Sequence, residues 1–399
     1  MPQDPIKTLY NQVGVDPRDV DAWTDHYFGN TEKVALAKGD PIVTYGVFVR
    51  HPTVFAPDLV VGWLKAVAER AGFDIKIESK YEPGDIVPAG EPQFFITGRL
   101  SKLVKTETMF LQRVGAVGVA AYNALKCVEQ LPDVPFFTAG ARHCVGLEMV
   151  EAMEYAAHMG TVAAQKKLGP HVKGFVNSAV NAASHFFDKD TGGGTTPHIM
   201  IGLFDSTLEA AIKYREVCPD EPFVMLVDYF GKEVTDSIEI ANHFPAEAAS
   251  SELGFRLDTH GGRYLEGLDH EKSIQVIHEN APHMMEQEWS EEELKILYGK
   301  GVSIAAIFHF KNKLAEAGFP NVRVVGSSGF NPQKCRMMAM AGAPLSGIGT
   351  GSYIPKDFAA TYATADVFSY DGRRSIKVGR EYLGERYDEA LAANELHMI

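Results

Sequence analysis

From residue 135 onward the chain alternates short apolar runs with stretches of helical periodicity. The runs are FFTAGA (136–141), GFVNSAV (174–180), TTPHIMIGLF (195–204), PFVMLVDYF (222–230), LGFRLDT (253–259), VSIAAIF (302–308), NVRVVGSS (321–328) and PLSGIGTGSYI (344–354). Between them, GLEMVEAMEYAAHMGTVAAQKKLG and DSTLEAAIKYREV read as helices, and Ser290 with Glu293 forms a capping box at a helix start. Strands that are apolar on both faces and alternate with helices predict a parallel α/β sheet. Seven or eight such units over roughly 220 residues fit an irregular (β/α) TIM-like barrel. A doubly wound open sheet is the other topology with this rhythm.

The first 130 residues have a different texture. Asp58–Gly72 has apolar residues at helical spacing and a glycine stop. Residues 75–100 are strand-rich, with Pro83-Gly84 and Ala89-Gly90 as turns, and Thr106–Leu131 reads as a long, largely apolar helix. The tail returns to hairpin character around Asp371-Gly372. The expected organisation is an N-terminal α+β domain over 1–134, an α/β barrel over 135–355, and a C-terminal segment over 356–399 that packs back on the first domain.

Composition narrows the function classes. The 399 residues carry 38 Lys plus Arg against 52 Asp plus Glu, a formal charge of −14. That balance argues against nucleic acid or an anionic membrane as partner, since both need a basic footprint. An anionic small substrate remains compatible, provided local cations and backbone N–H groups hold it. Cys127, Cys144, Cys218 and Cys335 are scattered and form no C-x-x-C, so neither a disulfide framework nor a zinc site is expected. The start MPQDPIKTLY has no apolar signal core, and no run of about 18 apolar residues exists. The expected compartment is the cytoplasm.

In a parallel barrel, chemistry sits at the C-terminal ends of the strands. Those ends carry Arg142 and His143, His198, Asp228, Arg256 with Asp258, Ser327 with Ser328, and Gly347–Ser352. The segments Gly326-Ser327-Ser328-Gly329 and Gly347-Ile348-Gly349-Thr350-Gly351 follow late strands, where barrels often bind phosphate. Either could equally be a plain strand-to-helix turn. Arg256 and Asp258 are two apart, so both point to one face of their strand. They read as an anion-binding arginine with an acid for a hydroxyl or Mg2+, or as a structural salt bridge. His198 within an apolar run is a candidate for function, or simply a packed histidine. Arg142-His143 is a cationic pair in an acidic chain, or a solvated one. The residues alone predict an enzyme acting on a phosphorylated anionic small molecule. A barrel-fold binding or regulatory protein that keeps a phosphate pocket without chemistry is the alternative.

The motifs, taken in order, resemble those of the nicotinate phosphoribosyltransferase family, the barrel-type (type II) phosphoribosyltransferases, from about Thr24 to Arg380. Thr24-Asp25-His26-Tyr27-Phe28 resembles the family's T-D-x-Y. Val43-Thr44-Tyr45 and Phe48-Val49-Arg50 resemble the strand that follows it, and Glu107-Thr108 the opening of its long helix. Gly140-Ala141-Arg142 is similar to its barrel-entry arginine, and Gly194-Thr195-Thr196-Pro197-His198 to its G-T-x-x-H. Arg256-Leu257-Asp258, Gly347-Ile348-Gly349-Thr350, Ala365-Asp366-Val367 and Lys377-Val378-Gly379-Arg380 resemble its later segments.

The resemblance implies transfer of a phosphoribosyl group from phosphoribosyl pyrophosphate to nicotinate, with Mg2+ and with ATP as co-substrate, for NAD synthesis. It implies His198 as the histidine that ATP phosphorylates, and Arg256 and Asp258 at the ribose and pyrophosphate. Arg142 would grip the nicotinate carboxylate or a phosphate. His143, Thr195 and Asp228 would complete the substrate site, and Ser327, Ser328, Gly349, Thr350 and Gly351 would bind the 5′-phosphate. Tyr27 and Phe28 would reach into a neighbouring subunit's site, in a homodimer or higher oligomer. Two acids of the family pattern are replaced, by Val176 in the Gly174-Phe175-Val176-Asn177 stretch and by His260. Quinolinate or nicotinamide as the base, and a non-catalytic nucleotide-binding homologue, are the alternatives. His143 and Lys173 could supply the extra cations that quinolinate needs.

Overall fold

The computed structural model describes residues 8–357 and 363–399. The chain divides into two compact units, Met1–Leu125 with Gly140–Pro170 and Ile354–Ile399, and Lys126–Ala139 with His171–Tyr353. Gly140–Pro170, expected within the barrel, thus belongs to the first unit.

The first unit is built on a six-stranded antiparallel sheet drawn from both chain ends. Its order is 373–374, 364–370, 42–48, 92–99, 75–79 and 397–398. Alternate residues of 92–99 serve opposite faces, as strand geometry requires. Phe94 and Ile96 join Val43, Val47, Trp63 and Phe110 in one core, whereas Phe95 joins Phe48, Phe368 and Leu383 in another. Helix Asp58–Ala71 covers the first face with Leu59, Val60, Trp63, Leu64 and Val67 buried, and it stops where Gly72 adopts φ 65°. Helix Tyr382–Ala392 contributes Leu383 to the second. The hairpin turns at Asp371 and Gly372, both with positive φ (47° and 76°), as a two-residue hairpin connection demands. Within this unit, helix Gly146–Leu168 packs on the long helix Glu107–Val128. A Cβ on Gly160 would lie 2.5 Å from Ala124 Cβ and 2.8 Å from Leu125 N, so only glycine permits that approach.

The second unit carries the parallel sheet. Its strands are β1 (Phe136–Thr138), β2 (Phe175–Asn177), β3 (Val224–Leu226), β4 (Gly254–Leu257), β5 (Arg323–Gly326) and β6 (Gly347–Thr350). They lie in the order β2-β1-β6-β5-β4-β3, all parallel. The gap between the edge strands β2 and β3 is spanned by an irregular stretch. Gly193 N donates to Ser178 O (2.8 Å) beside β2. Thr196 N donates to Val224 O (3.3 Å), and the Thr196 hydroxyl accepts from Leu226 N (2.8 Å), beside β3. This is an irregular α/β barrel, closed on one side by coil instead of a strand.

Two of the expected strands are therefore something else. The run 195–204 is coil up to Pro197 and then the short helix His198–Ile201. The run 302–308 is mostly the start of helix Ile304–Glu316, capped by Ser303, whose hydroxyl accepts from Ala306 N. That helix buries Ile304, Ala305, Ala306, Ile307, Phe308, Phe310 and Leu314. A helix start apolar on every side carries no 3.6-residue signature and mimics a buried strand.

Candidate active site

The C-terminal ends of β3, β4 and β5 bring together most of the expected site residues of the second unit. β4 places Arg256 in its last turn of register, and Asp258 follows it. Their side chains meet at 4.0 Å between Nη2 and Oδ2, both partly exposed. Arg256 Nη2 also donates to Thr196 O (3.4 Å), which ties the arginine to the closing stretch. Asp258 Oδ1 accepts from the Ser327 hydroxyl (2.9 Å), which also reaches Leu257 O (3.0 Å).

Asp228 follows β3. His198 opens its short helix beside it, with Nε2 3.2 Å from Asp228 Oδ1 and 3.4 Å from Oδ2. The imidazole is half exposed while the carboxylate is nearly buried. Burial pushes the Asp228 carboxyl above the usual carboxylate range and nearby Asp258 adds to this, while His198 opposes it. Thr195 is partly exposed next to Thr196, whose side chain is buried.

The two glycine-rich ends differ from each other. Ser328 and Gly329, after β5, are exposed and both have positive φ (75° and 70°). At the end of β6, Thr350 and Gly351 are buried, and the Thr350 hydroxyl donates to Phe330 O (2.9 Å). Gly349 is partly exposed, and a Cβ there would lie 3.5 Å from Ser327 Cβ, so the two strand ends adjoin. With the hydroxyls of Ser327 and Thr350 engaged within the chain, the solvent-facing donors are those of Ser328 and Gly329.

Asn177, next to Val176, and His260 both make local ties. Asn177 Oδ1 accepts from Ser178 N (2.8 Å) and its amide donates to Thr191 O (3.2 Å), fixing the closing stretch to β2. His260 Nδ1 accepts from Gly262 N (3.0 Å). Near them Glu233, fully buried, accepts from the Thr259 hydroxyl (2.8 Å) and from Arg263 Nη2 (2.5 Å), and Arg263 Nη2 reaches Asp228 O (3.1 Å). The sequence does not single out this buried acid, because nothing in GKEVTDS marks one glutamate as buried.

The remaining expected residues lie in the first unit. Arg142 and His143 sit exposed on the turn Ala141–His143 that follows β1 in the chain. Tyr27 is 60% exposed whereas Phe28 is buried, their rings 4.3 Å apart. Only Tyr27 of the two offers its face outward.

The first unit also gathers five motifs that are distant in sequence. Asp25 N donates to the Thr108 hydroxyl (3.1 Å), which donates to Asp25 Oδ2 (2.9 Å). Glu107 hydrogen-bonds with the Tyr45 hydroxyl, and Asp25 and Asp366 add negative charge nearby. Arg380 Nε pairs with Asp366 Oδ2 at 2.9 Å. Burial first, and the two neighbouring acids second, push the Glu107 carboxyl up to about 8.

No group of three or more His, Cys, Asp or Glu side chains suited to a metal ion occurs among the described residues. No described helix is long and apolar enough to cross a membrane.

No protein-family model and no curated protein sequence matches the chain. Solved structures do match. The nicotinate-nucleotide pyrophosphorylase from Pyrococcus furiosus superposes with a TM-score of 0.64 at 19% identity, over 91% of this chain and 79% of that one. Human nicotinic acid phosphoribosyltransferase gives 0.56 at 15% identity, over 89% and 76%. The nicotinate-nucleotide pyrophosphorylase from Ehrlichia chaffeensis gives 0.50 at 12%, over 86% and 97%. The chain therefore has the fold of the barrel-type phosphoribosyltransferases.

Proposed function

We propose that this protein is a phosphoribosyltransferase of NAD synthesis, moving a phosphoribosyl group from phosphoribosyl pyrophosphate onto nicotinate and releasing pyrophosphate. The observation that carries the reading is the meeting of Arg256, Asp258, His198 and Asp228 with the exposed Ser328-Gly329 turn, on the C-terminal side of one parallel sheet. The fold supports it, as does the resemblance of the motifs.

The reaction breaks the bond from ribose C1 to the pyrophosphate oxygen and forms one from C1 to the pyridine nitrogen. Positive charge develops on the ribose and negative charge on the leaving group. Arg256, oriented by the Thr196 carbonyl and Asp258, is the local cation for the pyrophosphate. Asp258, held by Ser327, is the acceptor for ribose hydroxyls. The Ser328-Gly329 turn takes the 5′-phosphate through backbone N–H groups, with Gly349 alongside.

Arg142 is the fork for the nicotinate carboxylate, a role in which arginine outperforms lysine because its donors match both oxygens. Tyr27 is the aromatic face offered to the ring in the site of a second copy, so the active form is a homo-oligomer. His198 accepts the γ-phosphoryl group of ATP on an imidazole nitrogen, ADP departing, and water later cleaves the P–N bond to release phosphate; Asp228 holds the imidazole in place by its contact with Nε2.

Mg2+ fits this donor set in the way it usually binds, through one or two carboxylates with substrate phosphates completing the shell. Asp258 and Asp228 are the carboxylates that would hold it, and it would neutralise charge on the departing pyrophosphate. Pyrophosphate release from phosphoribosyl pyrophosphate that depends on an added pyridine base tests the reading.

A further inference from the structure

We infer that Lys334, a residue that no motif marks, is the positioning residue of the phosphate-binding turn: its buried ammonium holds the Ser328 carbonyl inward so that the Gly329 N–H faces the phosphate. The inference rests on the phosphoribosyl reading for the identity of the ligand.

Lys334 lies in the first turn of helix Pro332–Ala341, where the Asn331 side chain caps its backbone N–H. Its side chain turns back under the preceding loop and is 9% exposed. Nζ donates to Ser328 O at 2.8 Å and sits 4.4 Å from the centre of the Phe330 ring. A charged lysine is seldom buried without a strong partner. A single carbonyl and an aromatic face are modest compensation, and burial lowers the ammonium to about 8, with Asp258 opposing the shift. The arrangement is costly for stability alone.

Its geometric effect falls on one peptide. Among the described residues there is no cis peptide bond, so the Ser328 C=O and the Gly329 N–H are antiparallel. Tying the carbonyl to the buried Nζ directs the N–H the opposite way, toward the exposed side of the turn. Among the described residues, no acceptor meets that N–H. Ser328 is also one of the few non-glycine residues at positive φ, a conformation that persists only when its surroundings impose it. The Lys334 bond to the Ser328 carbonyl is one tie on that turn.

The test is titration with ribose 5-phosphate, followed by the backbone amide resonances of the full chain. The wild-type Gly329 amide is expected to shift most within the loop. Lys334→Met is expected to weaken binding at least about tenfold, the size of a lost charge-assisted hydrogen bond. Lys334→Gln, which can still donate to Ser328 O, is expected to retain more affinity than Lys334→Met. In turnover, Lys334→Met raises KM for phosphoribosyl pyrophosphate more than it lowers kcat. Wild-type binding with equal affinity in Lys334→Met overturns this inference and leaves the phosphoribosyl reading standing. A wild-type Gly329 amide that does not move while other amides do overturns it without recourse to a variant. No binding of ribose 5-phosphate by the wild type overturns both.

Discussion

His198 Nε2 lies 3.2 Å from Asp228 Oδ1, joining the short helix after the closing coil to the end of β3. The two residues are thirty positions apart, and the sequence suggests a role for each without suggesting that they touch. A carboxylate held against an imidazole nitrogen fixes the orientation of the ring. On the proposed reading, His198→Ala abolishes the rate enhancement by ATP, and Asp228→Asn reduces it at least about tenfold. Steady-state rates with and without ATP measure both. Normal ATP coupling in His198→Ala contradicts the phospho-histidine role.

Arg142 is exposed on its turn and has one proposed task, the carboxylate of the base. Arg142→Ala is expected to raise the nicotinate KM by about 10- to 100-fold, the span of a charge-assisted hydrogen bond of 1.5–3 kcal/mol. The KM for phosphoribosyl pyrophosphate should change much less. An unchanged nicotinate KM removes Arg142 from the site.

Thr196 tests the barrel closure. Its hydroxyl, buried, accepts from Leu226 N at 2.8 Å. Thr196→Val keeps the shape and leaves that N–H without an acceptor, at a cost of about 1–3 kcal/mol. Urea denaturation should show the loss. No change in stability would mean that the closing stretch is dispensable.

Glu107 makes stability depend on pH with a definite sign. Its folded carboxyl, at about 8, binds a proton that the unfolded chain, at the ordinary glutamate value of 4.5, has already released. Its contribution is therefore full below pH 4.5 and is lost as pH rises through 8, with a slope of at most about 1.4 kcal/mol per pH unit. Glu107→Gln should flatten the melting temperature between those limits. An unaltered slope in the variant would assign the dependence elsewhere.

Much of the fold is legible in the sequence because local rules decide it. The Asp58–Ala71 helix with its Gly72 stop, the Ser290–Glu293 capping box and the Asp371-Gly372 hairpin all follow from a few neighbouring residues. Two segments depart from their sequence pattern, each for its own reason. Residues 302–308 enter a helix surrounded by other apolar groups, so alternation and helical period are both absent there. Residues 195–204 read as a strand because Thr196 fills a strand's place at the edge of β3, through its backbone and its hydroxyl.

Within the candidate site, the sequence marks strand ends but not what their side chains are doing. It offers Ser327 and Thr350 as phosphate donors on equal terms with Ser328. Only the structure engages the first two with Asp258 and the Phe330 carbonyl, leaving Ser328 outward. Lys334 in PQKCR looks like any surface lysine, since its burial is created by a loop that folds over it. The charge of −14 says nothing of Arg256, whose local partners matter more than the total.

The most direct test of the central claim is to incubate the protein with phosphoribosyl pyrophosphate, Mg2+ and nicotinate, nicotinamide or quinolinate, with and without ATP, and to identify mononucleotide by mass. The account predicts nicotinate mononucleotide with equimolar pyrophosphate, faster with ATP. Product from nicotinamide, or from quinolinate with CO2 released, would redirect the base specificity. No mononucleotide from any of the three contradicts the account.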